Sequence, residues 1–371
     1  VRGLRHELPH GGGDGAPGGR LRLLHHPVLG PRQRQSRLRQ RQLLLKGNSI
    51  VAQHLIFLFA GLLLLYYGAE WLVNGAVGLA RSLGLSPIVI GLTVVAIGTS
   101  APELVVSVVS AFKGKSMIAV GNVIGSNICN IGLVLGLAAL LGPITCHRAV
   151  VRREIPIMLG VSFYLLLISL NSTIGRIEGA TLLAAAVFYV WFSYAMAMRE
   201  SRLLFESVPG KAPATAGGSR AGQILRILAG ITGVVVGAEL LVDAAVAMMM
   251  FLGVSEKFIG LTVVALGTSL PELATSVVAA LKKEMDISVG NLIGSNVFNI
   301  ISVLGAASLV RPLRIEGGFF QGGLYVDYLV MMGISVLPWF MMRKSARLSR
   351  ANGAVMLLCY GVYIGYLVWK G

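Results

Sequence analysis

The sequence predicts an all-α polytopic membrane protein, with ten transmembrane helices arranged as two inverted five-helix repeats. Three observations carry that prediction. The 371-residue chain is 55% hydrophobic and only 13% charged, whereas soluble domains carry about 25% charged residues. Apolar stretches of 18 or more residues recur along it, each long enough to cross a hydrocarbon core about 30 Å thick as a helix. Residues 68–136 also align with 237–305 without a gap, at a constant offset of 169, with 41 identities in 69 positions. Self-similarity of that strength marks a duplicated architecture.

Residues 1–48 are rich in Gly, Arg, Gln and Pro and contain no apolar run long enough for a signal-peptide core. They are expected to form a disordered basic tail, either an unstructured extension or a segment foreign to the natural protein. The first repeat, 49–198, holds apolar spans near 51–82, 87–112, 117–141, 155–171 and 178–198. A polar connector, 199–223, leads to the second repeat, 224–371, with spans near 224–252, 258–281, 286–310, 323–342 and 352–369. Because each repeat has an odd number of spans, the second enters the membrane from the opposite side, and equivalent motifs can meet at mid-membrane.

The formal charge of +16 is not a nucleic-acid signal, because ten of the 32 Lys and Arg lie in residues 1–48. With the connector in the cytoplasm, 15 Lys and Arg fall inside, including Arg148, Arg152, Arg153, Arg199, Arg202, Arg343 and Lys344, against seven outside when the tail is omitted. That asymmetry satisfies the positive-inside rule. The expected setting is lipid, in the cell's inner (plasma) membrane, with no nucleic-acid partner. The tail would add ten charges outside, a second reason to set it apart. Cys129, Cys146 and Cys359 are widely spaced and suggest neither a disulfide framework nor a zinc site.

Two motifs carry the chemistry. GLTVVAIGTSAPEL at 91–104 recurs as GLTVVALGTSLPEL at 260–273. Glu103 and Glu272 thus sit in otherwise apolar or small-polar spans, where an ionised carboxylate costs several kcal/mol unless something compensates it. A bound cation is the natural compensator. Pro102 and Pro271 each remove a backbone donor and disfavour helix at the preceding residue, so both helices should break and free carbonyls around Ala96 to Thr99 and Ala265 to Thr268. Carbonyl, hydroxyl and carboxylate oxygens are the ligands hard cations prefer. The alternative, that these residues serve close helix packing, weakens once the carboxylate occurs in both copies.

VGNVIGSNICNI at 120–131 recurs as VGNLIGSNVFNI at 289–300. Ser126 and Asn130, like Ser295 and Asn299, are four residues apart and share a helix face. Their oxygens add ligands without charge, leaving two carboxylates to match one Ca²⁺. Asn122, Asn127, Asn291 and Asn296 fall partly on other faces, where they either touch an ion or satisfy broken backbone or neighbouring helices. Glu70 and Glu239 occupy matching G-A-E-x-L-V sequences, with Asp243 in the second copy only; they either line an ion path, pair with basic residues or snorkel to an interface. Asp327 has no counterpart in the first half and is read as structural or interfacial.

GTSAPE with GSNICN, repeated as GTSLPE with GSNVFN, closely resembles the two α-repeats of the calcium:cation antiporter superfamily, specifically the bacterial sodium/calcium exchanger proteins, over about residues 51–369. The resemblance implies four ion positions built from Glu103, Glu272, Thr99, Thr268, Ser126, Ser295, Asn130, Asn299 and the carbonyls of Ala96 and Ala265. One Ca²⁺ would alternate with about three Na⁺ by alternating access, with no cofactor and no enzymatic step, in a monomer. Some members carry Asp at the last position of one GSN-x-x-N motif. Here both residues are neutral, which removes a third charge. A Ca²⁺/H⁺ antiporter on the same scaffold and a passive cation channel are the competing expectations. The sequence contains no G-x-x-x-x-G-K-[ST] motif, and the connector is too short for a calcium-sensing domain.

Overall fold

The computed structural model describes residues 31–207, 219–253, 265–320 and 324–370. The chain divides into two units, 1–50 and 51–371. Helix α1 (Pro31–Leu83) is followed by α2 (Pro87–Thr99) and α3 (Ala101–Phe112), which meet at a 45° bend. Helices α4 (Ser116–Leu141), α5 (Ile155–Ser169) and α6 (Arg176–Ser207) complete the first repeat. The second repeat comprises α7 (Arg220–Phe251), a short turn at Ala265–Gly267, α8 (Leu270–Leu281), α9 (Met285–Val310), α10 (Leu324–Met342) and α11 (Arg350–Lys370).

Among the described residues, seven helices are long and apolar enough to cross a membrane, or eight when the bent pair α2–α3 is one span. The expected spans at 155–171 and 258–281 are represented by α5 and α8, and residues 258–264 of the latter span lie outside the described residues. Two expectations change. Residues 31–48, expected to be disordered, belong to α1: the Arg, Gln and Leu between Pro31 and Lys46 are strong helix formers, and proline suits a first helical position. Residues 1–30 lie outside the described residues. Of the connector, 199–207 extend α6 and 220–223 open α7, while 208–218 are not described.

The core of the bundle is α4 and α9, whose most apolar windows are 78% buried, against 17–33% for the other long spans. Glycines set the closest approaches. A Cβ on Gly68 would lie 2.7 Å from Val234 N, one on Gly230 2.5 Å from Leu72 N, and one on Gly61 2.8 Å from Gly237 O. As numbers rise on α1 they fall on α7, so these equivalent helices run antiparallel, as an inverted repeat requires. Small residues give such contacts in lipid, where van der Waals packing replaces the hydrophobic effect as the driving force.

Two short antiparallel strand pairs join the halves. β1 (Ile144–Thr145) pairs with β4 (Arg347–Leu348), and β2 (Thr173–Ile174) pairs with β3 (Leu313–Arg314). Each pair links a loop of one repeat to a loop of the other. An even number of crossings must therefore separate the paired loops, which accords with the expected spans.

Candidate cation site

The site grows from two helix breaks. Ser100 (φ −82°, ψ 9°) and Ser269 (φ −88°, ψ 4°) leave helical geometry at equivalent points, each two residues before a proline that cannot donate a backbone hydrogen bond. Glu103 and Glu272 then fall in the first turn of α3 and α8, where the positive end of the helix dipole favours negative charge. The break is less open than expected at Ala96. Its carbonyl accepts from Ser100 N at 3.0 Å, and its second lone pair lies within 3.5 Å of the Thr99 and Ser295 hydroxyls. In the second half, Ser269 N bonds Leu266 O at 3.2 Å, a three-residue turn at the break.

Both glutamates are fully buried and lie within electrostatic range of one another. Glu272 Oε1 accepts from Ser100 Oγ at 3.1 Å and Ser295 Oγ at 3.3 Å. Its Oε2 and both oxygens of Glu103 have no hydrogen-bond partner. Ser126 and Thr268 stand beside the Glu103 carboxyl, yet Ser126 Oγ has no partner either. Neither glutamate forms an ion pair within 4.0 Å among the described residues. Two buried carboxylates lacking basic partners are costly in a bilayer, by about 3 kcal/mol each on insertion scales.

Hydroxyls and amides are held by the opposite half. Thr99 Oγ1 donates to Asn291 Oδ1 at 3.0 Å, and Thr268 Oγ1 donates to Asn122 Oδ1 at 3.4 Å. Asn122 also holds the Glu103 backbone carbonyl at 3.2 Å. Asn127 Nδ2 donates to Asn296 O at 3.1 Å, and Asn296 Nδ2 donates to Asn127 O at 3.2 Å. Asn130 Nδ2 donates to Asn296 Oδ1 and Asn299 Nδ2 to Asn127 Oδ1, each at 3.1 Å. These bonds use the amide nitrogens of Asn130 and Asn299 and leave their Oδ1 atoms buried and unpartnered. Each of these asparagines also opens a π-helical turn, Asn130–Leu135 or Asn299–Leu304, a local widening frequent at functional sites.

The structure brings Thr99, Glu103, Ser126 and Asn130 together with Thr268, Glu272, Ser295 and Asn299 across the junction of the repeats. Ser100, which is not among the residues the sequence singled out, belongs to the same cluster through Glu272, and its counterpart Ser269 is buried with an unpartnered Oγ. Their occurrence in both GTS copies was the available signal. Glu70 takes its structural alternative: Lys282 Nζ lies 2.8 Å from Glu70 Oε1. Asp327 accepts from Tyr363 Oη at 3.0 Å.

Two broken spans meeting through inverted motifs, with carboxylate, hydroxyl and amide oxygens facing one interior, define a membrane transporter of the exchanger class. The chain belongs to the sodium/calcium exchanger protein family, which matches residues 53–195 and 222–369. It is 38% identical over 314 residues to the inner membrane protein YrbG of Escherichia coli (strain K12), covering 84% of this chain and 96% of that one. It is 30% identical over 353 residues to the sodium/calcium exchanger MaX1 of Methanosarcina acetivorans, covering 86% of this chain and 100% of the relative. The solved sodium-calcium exchanger NCX_Mj, soaked with Na⁺ and Ca²⁺, superposes with a TM-score of 0.72 at 34% identity, covering 84% of this chain and 98% of the other. Proteins of this class are exchangers, not enzymes.

Proposed function

We propose that this chain is an antiporter exchanging Na⁺ for Ca²⁺ by alternating access at one overlapping site. The observation that carries the reading is a set of buried oxygens without partners, drawn from both repeats: both carboxylate oxygens of Glu103, Oε2 of Glu272, Ser126 Oγ, and Oδ1 of Asn130 and Asn299. Such a set is unsatisfied until a cation enters. Thr99, Thr268, Ser295 and the carbonyls of Ala96 and Ala265 complete the oxygen ligands. Two carboxylates match the charge of one Ca²⁺, and several Na⁺ ions neutralise them equally well. Unloaded, the doubly negative site is penalised in the low-dielectric interior, so the return step requires a counter-ion. The relative YrbG is named an inner membrane protein, in keeping with that location here, and a monomer suffices for a site built within one chain.

Radiolabelled Ca²⁺ uptake into proteoliposomes tests this reading. Uptake driven by an outward Na⁺ gradient, and absent without a trans ion, is the expected result. Uptake driven by a pH gradient but not by Na⁺ would assign the coupling to protons. Flux without any counter-ion would make the chain a channel.

A further inference from the structure

The two repeats differ in one contact. Lys282, the residue that ends α8, places Nζ 2.8 Å from Glu70 Oε1 and 3.1 Å from Asn74 Oδ1 on α1. At the repeat offset of 169, the equivalent residues are Lys113, Glu239 and Asp243. Lys113 likewise ends α3, and Glu239 and Asp243 lie on α7. In that copy the contact is not made: all three residues are exposed, and no described residue forms an ion pair with any of them.

The cavities differ in the same sense. A cavity of about 280 Å³ lined by Pro102, Glu239, Asp243, Gly267 and Thr268 reaches the cation site. The larger cavity, of about 830 Å³, around Glu70, Asn74 and Lys282 is lined by neither Thr99 nor Pro271, the counterparts of Thr268 and Pro102. Of these two cavities, only the one in the half without the contact touches a residue of the cation site, Thr268.

In an inverted repeat, reversing which membrane face is open amounts to the two halves exchanging local conformations. We infer that Lys282–Glu70/Asn74 and Lys113–Glu239/Asp243 are alternating latches, one closed in each of the two oppositely open states. Closing the second brings the Lys113 ammonium against two carboxylates at the mouth of the smaller cavity. This inference rests on the alternating-access reading, but its test needs no ion flux.

In a chain carrying Cys129→Ala, Cys146→Ala and Cys359→Ala, two cysteine pairs are compared using a short bifunctional thiol reagent: Glu70→Cys with Lys282→Cys, and Glu239→Cys with Lys113→Cys. Both pairs are expected to cross-link. In the chain carrying all four cysteines, linking the first pair should suppress the second by about tenfold, as mutually exclusive states require. Cross-linking of the first pair also reports that the chain is folded. The latch is overturned if the second pair never links while the first does, if both links form in one molecule, or if a monodisperse protein links neither. Cross-linking as expected, with no Na⁺-driven uptake by the parent, would instead sink the proposed exchange and leave the latches standing.

Discussion

Asn127 and Asn296 clasp each other across the junction of the two repeats, each side-chain amide donating to the other's backbone carbonyl at 3.1 and 3.2 Å. Their Oδ1 atoms accept from Asn299 and Asn130, which turns the free oxygens of those two residues away from the clasp. Asn127→Ala removes the acceptor that orients Asn299. With a buried hydrogen bond contributing about 1 kcal/mol, the Ca²⁺ concentration for half-maximal uptake should rise about fivefold, while the amount of folded protein changes less. An unaltered half-saturation would show that the clasp does not aim ligands.

Glu103→Gln and Glu272→Gln keep shape and remove charge. Each leaves a single carboxylate to balance a divalent ion, so gradient-driven Ca²⁺ uptake should fall by tenfold or more, about 1.4 kcal/mol or more. Substantial residual exchange in either variant would remove that residue from the site. Both variants should remain folded, because neither carboxylate has a basic partner within ion-pair distance among the described residues.

Asn299→Asp tests the charge balance from the other direction. A third carboxylate at this buried position should shift the competition between Na⁺ and Ca²⁺, read as a change in the Na⁺ concentration that halves Ca²⁺ uptake. It should also add an acid-sensitive component, because Asp must be ionised to act and protonation as pH falls removes the added charge. A competition curve and pH profile identical to the parent's would place Asn299 outside the ion's reach.

Gly68→Leu probes assembly and leaves the site's chemistry untouched. A Cβ there meets the α7 backbone 2.7 Å away at Val234 N, with no flexible side chain to give way. The two helices must separate, at a cost of about 1–3 kcal/mol or more. A lower unfolding temperature in detergent is the expected result.

Much of the fold was legible because a bilayer simplifies the code. Span length follows from hydrocarbon thickness, and Pro102 and Pro271 announce breaks through local chemistry that needs no tertiary context. Glu103 and Glu272 stood out because ionisable residues are rare in apolar spans. The role of Asn127 and Asn296 was legible only in part, as amides that satisfy a neighbouring helix. Spacing placed them off the ligand face, and only the opposing repeat reveals that they orient the residues on it. Residues 31–48 read as tail on composition and charge, although their Arg, Gln and Leu favour helix locally.

The sequence by itself determined a duplicated helical membrane protein, two interior carboxylates, and the oxygen-bearing residues that accompany them in each copy. These follow from hydropathy, backbone chemistry and repetition, all properties of short stretches of chain. Only the tertiary structure decided which oxygens remain without partners, that Glu70 is held by Lys282 while Glu239 meets no described cation, and which of the two cavities touches the site. Those facts depend on contacts between residues more than a hundred positions apart, and near-identical repeat sequences carry no mark that distinguishes the half with the contact from the half without it.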